Sequence, residues 1–259
     1  MEEFKRDLGS SITFSLSAGQ AALVFFLIGI FVGGFFMSTI SNLGSAGAVA
    51  PKPSNQGSDN GNKPSDAGNK PSQDKIDPSK ISLKGEPVLG QEDAPVTMVM
   101  YEDFECPFCK KFETNTVPKV VDNYVKSGEV KMVWKDLPLP ERIHPWADEG
   151  AAAMECVYRQ DESAFWKVKD KVFSNQNSIS LQNVESKIKQ FASEEEVSKS
   201  AVQSCLDNDN PMSEVDKDKK EARSVGAKGT PTVFINGKKI VGAQPYSVFK
   251  QVIESELKS

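Results

Sequence analysis

Metal-binding side chains are scarce in this sequence, which has one histidine and four cysteines among 259 residues. Cys106 and Cys109 have the spacing of half a zinc site, whereas Cys156 and Cys205 are far apart and each stands alone. A structural zinc site needs a second ligand pair, which these residues do not supply. We therefore predict no metal site and interpret Cys106 and Cys109 as a redox pair.

The sequence also lacks a run of basic residues. Its 31 Lys and Arg residues are interspersed with 36 Asp and Glu residues, which gives a formal net charge of −5. Domains that bind nucleic acid usually carry a basic patch or stripe. We therefore predict that nucleic acid is not a partner.

Charged residues are missing from Ala18 to Ile40, a segment rich in Leu, Ile, Val and Phe. At about 1.5 Å per residue, this segment is long enough to cross a hydrocarbon core of about 30 Å. Lys5 and Arg6 precede it, and the next basic residue is Lys52. The positive-inside rule then places residues 1–17 in the cytoplasm and the rest of the chain outside. We predict a single-pass signal anchor in the cell membrane.

A cleaved signal peptide is the alternative interpretation of this N-terminus. Ala48-Val49-Ala50 fits the small-residue pattern of a cleavage site. The apolar run is long for the core of a signal peptide, which favours the anchor. The domain that follows is extracytoplasmic in both interpretations.

Large apolar residues are nearly absent from residues 41–80, where Gly, Ser, Asn, Pro, Lys and Asp predominate. Such a segment cannot bury enough surface to offset its conformational entropy. We therefore predict a disordered linker over residues 41–80 and one folded domain over residues 81–259.

A strand followed by a Cys-x-x-Cys helix organises the folded domain. The apolar run Val96–Tyr101 predicts the strand, and the helix begins at Cys106-Pro107-Phe108-Cys109. Unpaired N–H groups and the helix dipole favour a thiolate at a helix N-terminus, and Pro107 is well tolerated in the first turn. We predict Cys106 to be an exposed nucleophile of low pKa and Cys109 to be the resolving thiol.

The order of the predicted elements indicates an α/β fold. A β-α-β unit comes first, a helical insertion at about residues 141–226 follows, and a β-β-α unit closes the chain. Asn236-Gly237 between two apolar runs is a strong signal for the hairpin in this last unit. We predict a thioredoxin-like fold with an inserted helical subdomain.

Four motifs in this order resemble those of the DsbA family of extracytoplasmic thiol–disulfide oxidoreductases, in particular its membrane-anchored Gram-positive type. The motifs are Leu89–Thr97, Glu102–Cys109, His144–Ala147 and Gly229–Thr232. The resemblance implies that Cys106 attacks, that Cys109 resolves, and that Pro231 is a cis-proline. It further implies that the backbone of Thr230 pairs with an extended substrate.

Two features depart from the pattern of this family. The residues between the cysteines are Pro107 and Phe108, whereas the most oxidising members have Pro-His, so the thiolate lacks one source of positive charge. Family members often bury an acid below the disulfide, and the matching position here is Met100. The sequence leaves open whether Glu102, water or no group relays a proton to Cys109.

The remaining cysteines and the histidine have structural interpretations. In the family subgroup that this chain resembles, cysteines placed like Cys156 and Cys205 form a second, structural disulfide, and two buried free thiols are the alternative. His144 precedes Pro145 and Trp146, and we expect it to have a structural role at the start of a helix.

The resemblance implies an enzyme that introduces disulfides into exported proteins. A membrane protein of the DsbB or vitamin K epoxide reductase-like kind would reoxidise it, and no organic cofactor is implied. A reductase or isomerase would use the same residues. A non-catalytic thioredoxin-like binding module is a further alternative, in which the Cys106–Cys109 disulfide is only a local staple.

Overall fold

A five-stranded mixed sheet lies at the centre of the computed structural model, which describes residues 75–259. The strands lie in the order β1-β3-β2-β4-β5, with β2 and β3 parallel and the other neighbours antiparallel. Their bounds are β1 Val88–Leu89, β2 Val96–Glu102, β3 Val130–Asp136, β4 Thr232–Ile235 and β5 Lys238–Val241. The predicted signal anchor at 18–40 and nearly all of the predicted linker lie outside the described residues.

The helices follow the predicted element order. Between β2 and β3 lie α1 (Pro107–Asn115), α2 (Val117–Val120) and a π-helical segment (Val121–Val125). The insertion comprises α3 Ala147–Gln160, α4 Glu162–Asn175, α5 Val184–Glu194, α6 Lys199–Asn208 and α7 Met212–Val225, and α8 (Tyr246–Glu256) closes the chain. No helix within residues 75–259 is both long enough and apolar enough to span a bilayer.

Strand β2 is buried on both faces, as expected for a central strand covered by helices. Met98 and Met100 belong to the larger apolar cluster, which includes residues of α1, α8 and the insertion. Val99 and Tyr101 belong to a smaller cluster with Ala222 of α7 and neighbouring residues. Because side chains alternate along a strand, Glu102 points to the same side as Met100, toward the larger cluster.

Residues before the predicted domain boundary at residue 81 already contact the sheet. The Ile76 N–H donates to the carbonyl oxygen of Gly237 at 2.9 Å, and Lys75 pairs with Lys238 as an isolated β-bridge. Gly237 has a φ of +86°, and a Cβ atom there would lie 2.2 Å from the Ile76 oxygen. The hairpin turn therefore needs glycine for its conformation and for the approach of this N-terminal segment. Pro78–Lys80 then forms a short 3₁₀ turn.

A disulfide joins two helices of the insertion. Cys156 of α3 and Cys205 of α6 are bonded, lie 49 positions apart in sequence and are both buried. This is the pairing that the family resemblance implies. By closing a loop of that length, the bond restricts the unfolded chain.

We predict that the variant C156A/C205A has a free energy of unfolding about 4 kcal/mol lower than that of the wild-type protein, because its unfolded chain regains the loop entropy. Urea denaturation followed by tryptophan fluorescence would measure the difference, with Cys106 and Cys109 replaced by alanine in both proteins so that no reductant is needed. Equal unfolding free energies would contradict a stabilising role for this disulfide.

Candidate active site

Helix α1 presents Cys106 at its N-terminus, directly after the turn that follows β2. Cys106 is the N-cap residue and Pro107 occupies the first helical position, where a missing N–H costs no hydrogen bond. Phe108 is 61% exposed, whereas Cys109 is fully buried one turn into the helix. Cys106 and Cys109 are both free thiols in the structure.

Hydrogen-bond donors surround the sulfur of Cys106. The Cys109 thiol is the strongest of them, and the N–H groups of Cys109 and Phe108 add to it. Burial opposes these donors, but the pKa of Cys106 still falls to about 6. The thiolate is the nucleophile in disulfide exchange, so this site favours the reactive form at neutral pH.

The prediction that Cys106 is exposed is wrong. Only 2% of its surface is accessible, because the loop before β4 covers the sulfur. In that loop the Thr230–Pro231 peptide bond is cis, and the Cys106 thiol lies 3.6 Å from the Thr230 carbonyl oxygen. The Pro231 carbonyl in turn accepts a hydrogen bond from the N–H of Gly242 at 2.8 Å. The structure thus brings Cys106 next to the Thr230–Pro231 loop, which is 124 positions away in sequence.

Cys109 has the opposite electrostatic environment. Burial, the hydrogen bond to Cys106 and the carboxyl group of Glu102, once it ionises, raise its pKa well above the ordinary value. The two sulfurs therefore differ: Cys106 is stabilised as a thiolate and Cys109 as a thiol. This asymmetry matches an attacked sulfur and a resolving sulfur.

Glu102 is a fully buried acid at the end of β2. Its carboxyl oxygens make no hydrogen bond that meets ordinary distance and angle limits within the described residues. Burial, followed by the charge of the neighbouring Glu113, raises the pKa of Glu102 well above its usual value. Glu113 is itself paired with the buried Lys169 of α4. Glu102, which lies near Cys109, is therefore held in its protonated form to a higher pH than an ordinary carboxyl group.

The turn between β2 and α1 is held by residues of the following loop and of the insertion. Asp103 accepts hydrogen bonds at one carboxylate oxygen from the Leu139 N–H (2.8 Å) and from His144 Nδ1 (2.6 Å). Glu105 accepts one from the Trp146 N–H at 2.7 Å. His144 lies three residues before the first residue of α3, whose N-cap is Trp146, and its contact with Asp103 agrees with the expected structural role near the start of this helix.

Gln176, just after α4, also contacts this turn. Its side-chain amide donates to the carbonyl oxygens of Phe104 (2.8 Å) and Cys106 (3.1 Å). Nothing in the sequence distinguishes this glutamine from a surface residue, because its partners lie about 70 positions earlier. Within residues 75–259, no group of three or more His, Cys, Asp and Glu side chains is arranged to hold a metal ion.

Comparison with known proteins agrees with this site. A family model described as Thioredoxin matches residues 82–255. Disulfide bond formation protein D of Bacillus subtilis (strain 168) is 31% identical over 179 residues, which cover 68% of this chain and 79% of the relative. The chain belongs to the DsbA-like thiol–disulfide oxidoreductases of the thioredoxin family.

Solved structures of DsbA-like proteins share this fold. Oxidised BdbD from Bacillus subtilis superposes with a TM-score of 0.63 at 30% identity, covering 69% of this chain and 96% of that one. Wolbachia pipientis alpha-DsbA1 gives a TM-score of 0.60 at 22% identity, covering 69% and 94%, which is a likeness in fold alone. The predicted thioredoxin-like fold with a helical insertion is thereby confirmed.

We predict that the substitution E102Q stabilises the protein increasingly as pH rises above about 4.5. The raised pKa means that Glu102 must take up a proton on folding once the unfolded carboxyl has ionised. The wild-type free energy of unfolding then falls by up to about 1.4 kcal/mol per pH unit, until the pH reaches the raised pKa. The neutral glutamine has no such dependence.

Urea denaturation of the wild-type protein and E102Q from pH 4.5 to about pH 7 would measure this difference. The variant E92Q is the matched control, because Glu92 is an exposed carboxylate. Parallel pH profiles for E102Q and the wild-type protein would show that Glu102 is ionised in the folded state and would contradict the assignment.

Proposed function

We propose that this oxidoreductase is an extracytoplasmic oxidase that introduces disulfides into exported proteins. The observation that carries the proposal is the lowered pKa of Cys106, at about 6. A stabilised thiolate stabilises the reduced enzyme, and an enzyme with a stable reduced form readily transfers its disulfide to a substrate.

The reaction begins with attack of a substrate thiolate on the Cys106 sulfur of the Cys106–Cys109 disulfide. The S–S bond breaks, Cys109 leaves with the electron pair, and a mixed disulfide forms between Cys106 and the substrate. Cys109 is more stable as a thiol than as a thiolate, so a proton donor assists this step. Protonated Glu102 is the acid best placed to supply the proton.

A second substrate thiolate then attacks the substrate sulfur of the mixed disulfide. Cys106 leaves as a thiolate, and its low pKa makes it a good leaving group. The substrate loses two electrons as its disulfide forms, and the enzyme gains them as one thiolate and one thiol. The cysteine pair itself carries the electrons, so the proposed reaction uses no organic cofactor.

The cis-proline loop is the proposed substrate-binding element. Thr230 lies within 3.6 Å of the attacked sulfur and precedes strand β4. An extended substrate segment pairing with the Thr230 backbone would hold its own cysteine beside Cys106. The exposed ring of Phe108, two residues after Cys106, offers an apolar contact to the same segment.

Turnover requires an oxidant that accepts two electrons from the reduced pair. We assign this role to a membrane protein of the DsbB or vitamin K epoxide reductase-like kind. The predicted signal anchor at residues 18–40 and the linker would keep the domain at the outer face of the cell membrane, within reach of such a partner. The family resemblance of the catalytic domain supports this location.

An extracytoplasmic reductase or isomerase is the second candidate. It is favoured by Phe108, because an aromatic ring adds no positive charge where the most oxidising members of the family have histidine. A non-catalytic binding module agrees less well with the site, since a purely structural disulfide does not need a thiol of lowered pKa.

We predict that the Cys106–Cys109 pair of the full-length protein has a reduction potential near or above about −150 mV, because the thiolate is stabilised. Equilibration with glutathione buffers, followed by alkylation of free thiols, measures it. The variant C106S, which cannot form the pair, is the control for signal from Cys156 and Cys205. A value at or below about −250 mV would overturn the oxidase assignment in favour of a reductase.

A further inference from the structure

The only histidine of the chain is tied to the turn that carries the nucleophile. His144 Nδ1 lies 2.6 Å from an oxygen of Asp103, and the carbonyl of Asp103 accepts the N–H of Cys106 at 3.1 Å. Two residues beyond His144, the Trp146 N–H bonds to Glu105, the residue before Cys106. These bonds hold the segment His144–Trp146 alongside the start of α1.

The loop that carries His144 is ordered by its own contacts as well. The N–H groups of Ile143 and His144 both donate to the carbonyl of Pro140, at 2.7 and 3.1 Å. The Leu139 N–H donates to the same Asp103 oxygen that bonds His144. With 8% of its surface exposed, His144 has a fixed place in this loop.

We propose that His144 is a positioning residue of the active site, whose imidazolium neutralises Asp103 and stabilises the Cys106 thiolate. It would thereby supply positive charge that the Pro107-Phe108 dipeptide lacks. This inference rests on the proposed function, because it assigns a charge partner to the same nucleophile.

The negative charge of Asp103 explains why a positive charge on His144 would affect the Cys106 thiolate. The Asp103 side chain is fully buried and lies three residues before Cys106. Without a cation beside it, its carboxylate would oppose the formation of a second negative charge at Cys106. His144 removes this repulsion, and its own charge attracts the thiolate.

The groups that face His144 are predominantly acidic. The hydrogen bond to Asp103 raises its pKa most, burial opposes this rise, and the charges of Asp103, Cys106 and Glu105 increase it further. Because Nδ1 bonds the carboxylate, the proton that titrates is the one on Nε2. The raised pKa keeps His144 protonated to a higher pH than free histidine, and the support for the thiolate is lost as pH rises through that value.

Coupling between two titrating groups is reciprocal: if protonated His144 stabilises the Cys106 thiolate, the thiolate must stabilise protonated His144 equally. As the sole histidine in 259 residues, His144 gives imidazole proton signals that need no assignment among several histidines. Proton NMR titration of the full-length protein therefore measures the coupling without a change at His144.

We predict that the pKa of His144 is higher by about half a unit or more in the reduced wild-type protein than in C106S, which has no thiolate at this position. The oxidised protein should resemble C106S. Equal His144 pKa values in all three proteins would overturn the inference.

The variant H144Q provides a second test, because glutamine can still donate a hydrogen bond to Asp103 but carries no charge. The pKa of Cys106 can be measured from the pH dependence of alkylation. We expect it to rise in H144Q by as many pH units as the pKa of His144 differs between the reduced wild-type protein and C106S. R142Q removes a positive charge from an exposed position of the same loop and is the matched control, with no shift expected. A structural role alone would leave the Cys106 pKa unchanged in H144Q.

The outcomes separate this inference from the proposed function. A Cys106 pKa of about 6 in both the wild-type protein and H144Q would leave the oxidase assignment intact and overturn the role of His144. A Cys106 pKa near 9 in the wild-type protein would instead remove the basis of the proposed function.

Discussion

The chemistry of this protein depends on a negative charge held almost out of contact with water. Cys106 is only 2% exposed, so solvent contributes little to its ionised form. Fixed donors take the place of water: the Cys109 thiol and the first N–H groups of α1. Donors held in place by the fold need not reorganise when the charge appears, which is the general basis of electrostatic catalysis.

Cys109 is not stabilised in the same way, although it lies only three residues away. It is buried below Cys106 and close to Glu102, and both features favour its protonated form. The buried Lys169–Glu113 pair lies next to Glu102. Burial and Glu113 raise the pKa of Glu102, and the charge of Lys169 partly offsets this rise. A short helix turn therefore holds one thiolate and one thiol, as an attacking and a resolving cysteine require.

The insertion and the loop before it contribute an ion pair and hydrogen bonds to this site. Lys169 of α4 pairs with Glu113 of α1, and Gln176 bonds the carbonyl oxygens around Cys106. His144, in the loop between β3 and α3, bonds Asp103. Residues outside the β-α-β unit thus fix the turn that carries the nucleophile. Substitutions in the inserted region would therefore affect the cysteines through this turn.

Local sequence patterns were sufficient to predict the strand, the Cys-x-x-Cys helix and the Asn236-Gly237 hairpin, because each depends on neighbouring residues. The cis-proline and the Cys156–Cys205 bond came from family resemblance. The contacts of His144 and Gln176 could not be predicted, since their partners are 41 and about 70 positions distant. The strand continues one residue past the predicted end at Tyr101, and this extension places Glu102 in the core.

The pKa of Cys106 in the full-length reduced protein tests this account most directly. Its thiolate can be followed by the rate of alkylation across pH, with C106S as the blank. The account predicts a midpoint at about pH 6. A midpoint near the ordinary value of 9 would contradict this expectation, because the helix N-terminus and the Cys109 thiol would then give the sulfur no net stabilisation.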